Sequence, residues 1–241
     1  MRRALVRRAA QHFRSLCSKP APPGEGPNHR AIMSLDADTI RPYVQPNAFV
    51  APSASVIGSV VINDKSAIMY GAVIRGDLAL IQIGALTVIG ENSVLTAGAV
   101  DGMMTPSDAV STGLALEPEL WVGDYCLIGA GVTLKGCHLM GDNIVGHCSS
   151  VAEGATLGRY AILEPGTSVG EGVSIPEGEV WGGSPAQKVR DVTDDEKLQM
   201  RQGAERRYST TASHAYEFLP VGFGYLEKEA LEKTDAAVAS K

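Results

Sequence analysis

The side chains in this sequence with most chemical reach are few and closely grouped. Two neighbouring pairs, Cys137-His138 and His147-Cys148, lie downstream of a third cysteine, Cys126. Imidazole and thiolate are the common ligands of zinc, which takes four in a closed site, or three plus water in a catalytic one. Adjacent residues of a strand point to opposite faces, so each pair could give only one ligand to a common site. None of the cysteines shows C-x-x-C spacing. Small buried cysteines, with His138 and His147 at a surface or an interface, form the favoured reading. Arg75 and Asp77 flank Gly76 and could form a bidentate ion pair. Glu153, Glu164, Glu171, Glu177 and Glu179 form an acidic series that reads as a solvated face. The glycine-rich stretches lack the G-x-x-x-x-G-K-[ST] order of a phosphate loop. His12, His29 and His214 fall in segments read as tails.

The elements that must position these residues follow from a repeat. From Val145 an aliphatic residue recurs every six positions: Val145, Val151, Leu157, Leu163, Val169, Ile175. The same phase runs through Val122, Ile128, Leu134 and Met140, and is expected to slip by one residue before Val145. Earlier it runs through Val44, Val50, Val56, Ile62, Ile68 and Ile74, and again through Ile83, Ile89 and Leu95. A fixed hexapeptide period is the signature of a parallel β-helix, in which three blocks make a coil and stacked coils bury a continuous aliphatic column. Six or so coils at about 4.8 Å give a prism about 30 Å tall. The phase breaks between Thr96 and Trp121, where a Gly/Pro-punctuated stretch is expected to bulge as a loop. After the coil, Thr193 followed by Glu196 is a capping box. With Thr193 as N-cap it predicts a helix running through Lys197 to about Tyr208, weak at Gly203 and resuming over Ala212–Phe218.

Charge divides the chain. The whole carries −6, yet residues 1–30 hold seven Lys and Arg against the single acid Glu25, which leaves −12 on the remainder. An acidic body excludes the basic face that nucleic acid requires. No apolar run approaches the roughly 20 residues of a membrane span. Residues 1–19 are Arg-rich and free of acids, with Leu5, Ala9 and Phe13 on one helical face. This is the composition of a mitochondrial transit peptide, and also that of a helix able to lie in a membrane interface. A Pro/Gly-rich linker follows. The expected organisation is leader and linker over 1–30, β-helix over 31–190, and a helical segment with its tail over 191–241. Three cysteines embedded in a regular coil indicate reduced thiols rather than a disulfide framework.

Over about residues 40–200 the chain resembles the γ-class carbonic anhydrases, most closely the mitochondrial members of respiratory complex I. The resemblance rests on the hexapeptide coil, Ile74-Arg75-Gly76-Asp77, the segment ending Leu134-Lys135-Gly136-Cys137, Gly182-Gly183-Ser184-Pro185-Ala186, and Thr193-Asp194-Asp195-Glu196. It implies an all-β, left-handed parallel β-helix with a C-terminal α-helix packed on it, assembled as a trimer. Active members hold zinc between subunits with three His, and the metal turns bound water into a hydroxide nucleophile near neutral pH. The three ligand positions are here Thr96, Ala130 and Lys135. The pair that positions water and substrate falls at Val88 and Gly90. Ala130 and Val88 offer no donor, and an ammonium at Lys135 repels a cation. Arg75 and Asp77 match residues that pair at subunit interfaces.

What this implies is a pseudoenzyme without cofactor. It would be a structural subunit on the matrix side of the mitochondrial inner membrane, in a heterotrimer with two homologous γ-carbonic-anhydrase subunits. That trimer would contact membrane-arm subunits of complex I, with the N-terminal segment as a further membrane-interface contact. Lys135 would supply positive charge where the family has its metal. Two enzyme readings stand beside this one. The first is a hexapeptide-repeat acyltransferase using His138 or His147; the second is a residual zinc-dependent carbonic anhydrase with an unorthodox site.

Overall fold

The structure, a computed structural model, describes residues 32–35, 40–98 and 118–217. The leader, most of the loop expected between Thr96 and Trp121, and the C-terminal tail lie outside the described residues.

Isoleucine, valine and leucine at every sixth position dictate the architecture. Ile62, Ile68, Ile74, Ile83, Ile89, Leu95, Leu134, Leu157 and Leu163 are all fully buried in one column. Each such side chain contributes about 1.5–3 kcal/mol when buried. The backbone between them pairs in parallel with the coils above and below. On the first face, Phe49–Val50, Ala67–Ile68, Val88–Ile89, Leu127–Ile128, Ile144–Val145, Ile162–Leu163 and Glu179–Gly182 stack in order. These are seven coils, one more than the sequence estimate. Gln187–Asp191 closes this face by pairing antiparallel with Glu179–Gly182.

The other two faces form one sheet, because the strands Ser55–Ile62 and Val73–Ile83 each bend and serve both. The bend needs glycine. A Cβ on Gly58, whose φ is +77°, would lie 2.5 Å from the Gly76 carbonyl oxygen, and one on Gly76 would lie 2.3 Å from that of Ser59. Beyond this bend the second strand carries three additional residues. Gly58 faces Gly76, 18 positions on, whereas Val60 faces Ile81, 21 positions on.

The slip in the repeat falls earlier than expected. Leu139, not Met140, joins the buried column, and Met140 is exposed. The corner Lys135-Gly136-Cys137 is one residue short. It turns at Gly136, with φ of +44°, and puts Cys137 inside.

The C-terminal helix α1 is a single element, Asp194–Glu217, and is not interrupted at Gly203. At 24 residues it is about 36 Å long, slightly longer than the stack of seven coils. It lies along the first face. Near its start, Met200 packs with Val180 and Val192 at the last coils. Farther on it reaches the strands Val88–Ile89, Ala67–Ile68 and Phe49–Val50. Phe49, Ala67 and Val88 are buried on this face although alternation points them away from the coil interior. Gly203 faces Leu127, and a Cβ there would make only an ordinary contact, 3.6 Å from Leu127 Cδ1.

Ion pairs at two places fasten α1. Thr193 and Glu196 form the expected capping box, with the Thr193 N–H donating to Glu196 Oε2 at 2.9 Å and the Glu196 N–H to Thr193 Oγ1 at 3.4 Å. The Arg190 guanidinium adds two parallel bonds to the same carboxylate, at 2.7 and 2.8 Å. Arg190 first, then the Thr193 N–H, holds the Glu196 carboxyl down to about 2. The second fastening is Asp142, which is buried. It accepts from Arg201 of the helix at 2.7 and 3.2 Å and from Arg159 at 2.8 Å. Arg201 also lies over the rings of Tyr125 and Tyr160, 5.5 and 6.0 Å from their centroids. Among the described residues no helix is long and apolar enough to cross a membrane.

Asp142→Asn keeps a residue tolerant of the left-handed φ of +54° at this position but removes the charge between two arginines. Breaking a buried pair costs up to 3–5 kcal/mol. The exposure of both guanidinium groups reduces the expected loss to about 1–3 kcal/mol, readable as a lower thermal midpoint. The Glu196 fastening has an acid limit. Its folded-state pKa lies below the unfolded one, so its contribution is complete above about 4.5 and disappears as pH falls through about 2. Helical ellipticity should fall over that window, and Glu196→Gln should flatten this part of the profile.

Candidate functional site

Strand register places the sequence candidates. Arg75 pairs with Thr96, and Thr96 with Lys135, so the three stand one above another on successive coils of one face. Thr96 and Lys135 are thus immediate neighbours. Ala130 is elsewhere. It sits at the turn between Leu127–Ile128 and Thr133–Lys135, and its N–H donates to His147 Nδ1 at 2.8 Å. Thr96, Ala130 and Lys135, the candidate positions of the sequence, therefore fall at two separate corners of the prism. Two of them share a corner and the third stands alone.

The side chains present do not suit a metal. Lys135 Nζ lies 3.0 Å from Glu153 Oε2, and the hydrogen bond to Glu153 raises the Lys135 pKa above its ordinary value. It is an ammonium at neutral pH and has no lone pair to give. Ala130 has no donor atom. Val88 is buried on the face that the helix covers. A Cβ on Gly90 would stand 2.6 Å from the Gly129 carbonyl carbon, so that coil contact leaves no room for a side chain. Among the described residues no three His, Cys, Asp or Glu side chains are grouped so as to hold a metal ion.

The cysteines divide. Cys126 and Cys137 are buried, and burial pushes both thiols up to about 12, which removes the thiolate needed for reactivity or ligation. Cys148 departs from the expectation of buried thiols: it is exposed, at a turn position with φ of +56°. His147, beside it, is exposed, and His138 is half-buried. Arg75 donates to Asp77 within the chain, and both side chains keep substantial exposure, 52% and 30%.

The acidic series is more than a solvated face. Glu179 pairs with Lys188 and accepts from Trp181. Glu153 and Glu171 line a cavity of about 540 Å³ together with Glu119, Gly136, His138 and Gly154. Glu119 escaped the sequence reading because it belongs to a stretch without repeat. Glu153 and Glu171 carried a signal, since their separation of 18 residues equals one coil at this height. Both Glu119 carboxylate oxygens are shut off from solvent without a hydrogen-bond partner. Its pKa is raised, by burial first and by the neighbouring charge of Glu153 second.

Comparison with known proteins agrees with this geometry. No family model matches the chain. The mitochondrial γ carbonic anhydrase 2 of Arabidopsis thaliana is 33% identical over 78% of this chain, which spans 63% of that relative's length. The mitochondrial γ carbonic anhydrase-like 2 of the same plant is 33% identical over 80% of this chain and 71% of its own. Among solved structures, a hexapeptide transferase family protein from Anaplasma phagocytophilum has a TM-score of 0.64 at 28% identity, covering 76% of this chain and 97% of that one. A putative acetyltransferase from Bacillus cereus, with a TM-score of 0.66 at 23% identity over 76% of this chain and 95% of its own, shares the fold. With the relatives matched at this identity and coverage, and with the coil and its register as described, the chain belongs to the γ-carbonic anhydrase family.

Proposed function

We propose that this chain is a non-catalytic, structural member of its family. In this reading it serves in a mitochondrial heterotrimer with two homologous subunits, on the matrix side of respiratory complex I. One observation supports the non-catalytic part: Lys135, which with Thr96 and Ala130 stands where the resemblance expects the ligands, is already committed to Glu153 at 3.0 Å. Relatives named γ carbonic anhydrase and γ carbonic anhydrase-like, all mitochondrial, support the location. The Arg-rich composition of residues 1–19 supports it independently. The Arg75–Asp77 pair, exposed and beside the Thr96–Lys135 corner, would then help to set subunit register.

The transferase likeness supports a second reading. His138 lines a cavity, and a coenzyme A acyl-transfer assay with the full chain would detect that activity.

Two measurements test the structural role. A chain that contributes to two interfaces of a trimer and carries no ligand set spoils both. A heterotrimer with one copy of this chain should therefore hold at most one zinc by elemental analysis, and two or more would overturn the reading. Lys135→Ala removes the positive charge from the Thr96–Lys135 corner and should weaken assembly about tenfold, as measured by sedimentation. Unchanged assembly would remove Lys135 from the account.

A further inference from the structure

Two corners of the coil fasten the same turn N–H in the same way. The Ala85 N–H donates to Asp124 Oδ1 at 2.7 Å, and the Ala130 N–H donates to His147 Nδ1 at 2.8 Å. The positions are equivalent. Ala85 and Ala130 precede the left-handed residues Leu86 and Gly131, while Asp124 and His147 precede the left-handed residues Tyr125 and Cys148 of the following coil. In return the Tyr125 N–H donates to the Ala85 carbonyl and the Cys148 N–H to the Ala130 carbonyl, each at 2.9 Å. An aspartate and a histidine thus do one job, but their acceptors differ. A carboxylate goes on accepting throughout the neutral range. A backbone N–H can only donate, so Nδ1 of His147 carries the lone pair and the ring proton sits on Nε2. His147 is exposed, so protons from solvent reach the ring.

The geometry points to a pH-sensitive latch: neutral His147 holds the Ala130 turn closed, and protonation of the ring releases it. A proton from water adds to the Nδ1 lone pair, the ring takes a positive charge, and both of its nitrogens become donors. The Ala130 N–H then faces another N–H and loses its acceptor. An imidazole changes charge roughly between pH 5 and 8, so the latch is closed at the upper end and opens as pH falls. The Asp124 corner stays closed over the same range. The titratable groups packed around His147 are Glu91 on the preceding coils, whose carbonyl accepts from the Gly131 N–H, Glu164 on the following coil, in backbone contact with Gly146, and Cys148 on the same turn. Neither carboxylate opposes a positive ring. Ala130 takes part through its main chain alone, and its methyl group offers a metal nothing. The latch does not rest on the structural role proposed above; its effect on assembly does, because that role puts the Ala130 corner at a subunit boundary.

Amide hydrogen exchange of the full chain, corrected for the intrinsic rate of each peptide group, reads the latch directly. Between about pH 8 and about pH 5.5, protection of the Ala130 amide is expected to fall about fivefold, as for the loss of one ordinary hydrogen bond. Protection of the Ala85 amide should stay level. His147→Asp copies the other corner and should keep Ala130 protected across the range, whereas His147→Ala should leave it weakly protected at both ends. Thermal unfolding of each variant confirms that it folds. Equal protection of Ala130 at both pH values in the unaltered chain overturns the proposal, and so does the same fall in His147→Asp. Sedimentation over the same range separates the latch from the structural role. Assembly that loosens at low pH in the unaltered chain, but not in His147→Asp, supports the latch at a subunit boundary. An Ala130 response with unchanged assembly supports the latch and counts against that boundary. The zinc count tests the structural role without reference to His147.

Discussion

Everything in this molecule depends on coils stacking in register at the spacing of hydrogen-bonded strands. That spacing is too short to admit side chains at every position. Where chain passes over chain at a corner, the contact is backbone to backbone. A Cβ on Gly129 would stand 2.7 Å from the His147 nitrogen, much as one on Gly90 would meet Gly129. At another corner the turn residue takes a left-handed conformation coil after coil, at Lys65, Leu86, Tyr125, Asp142 and Tyr160. Such residues cost roughly 1–2 kcal/mol each, and the buried aliphatic column offsets that cost. The same corner gives Arg201 its seat, since Tyr125, Asp142 and Tyr160 stand there one above another.

The coil was legible in the sequence because a buried column leaves a mark at every sixth residue. Its irregularities were not equally visible. Leu139 and Met140 are neighbours of similar hydropathy, so the phase could pass through either; the short turn at Gly136 decides for Leu139. Gly203 has low helix propensity and suggested a weak point. In place it faces Leu127, and the helix runs through it unbroken. Packing overrode propensity, as it commonly does where one face of a helix is covered.

Site residues divided along the same line. Thr96 and Lys135 could be assigned from the resemblance, and register put them side by side. Lys135–Glu153 was less apparent, because the partners are on different coils and one-dimensional reading saw only an acidic run. Glu119 had no periodic neighbour to give it a place. Long-range polar pairing depends on which corners coincide in space, and that is known only once each coil's length is known.

Helix α1 touches both the first and last coils of the described stack, and this couples two lengths that otherwise would vary independently. One coil rises by about 4.8 Å, or about three helical residues, which turn the helix through about 300°. Adding or deleting a coil would therefore displace Met200, Ala204 and Thr211, which are buried on α1, from their places along the face. It would also rotate them out of line by about 60°. A prism of this kind without a helix along its side can gain or lose coils with little penalty. Here the coil number and the helix sequence can change only together, so the height of this solenoid is inherited as a fixed dimension.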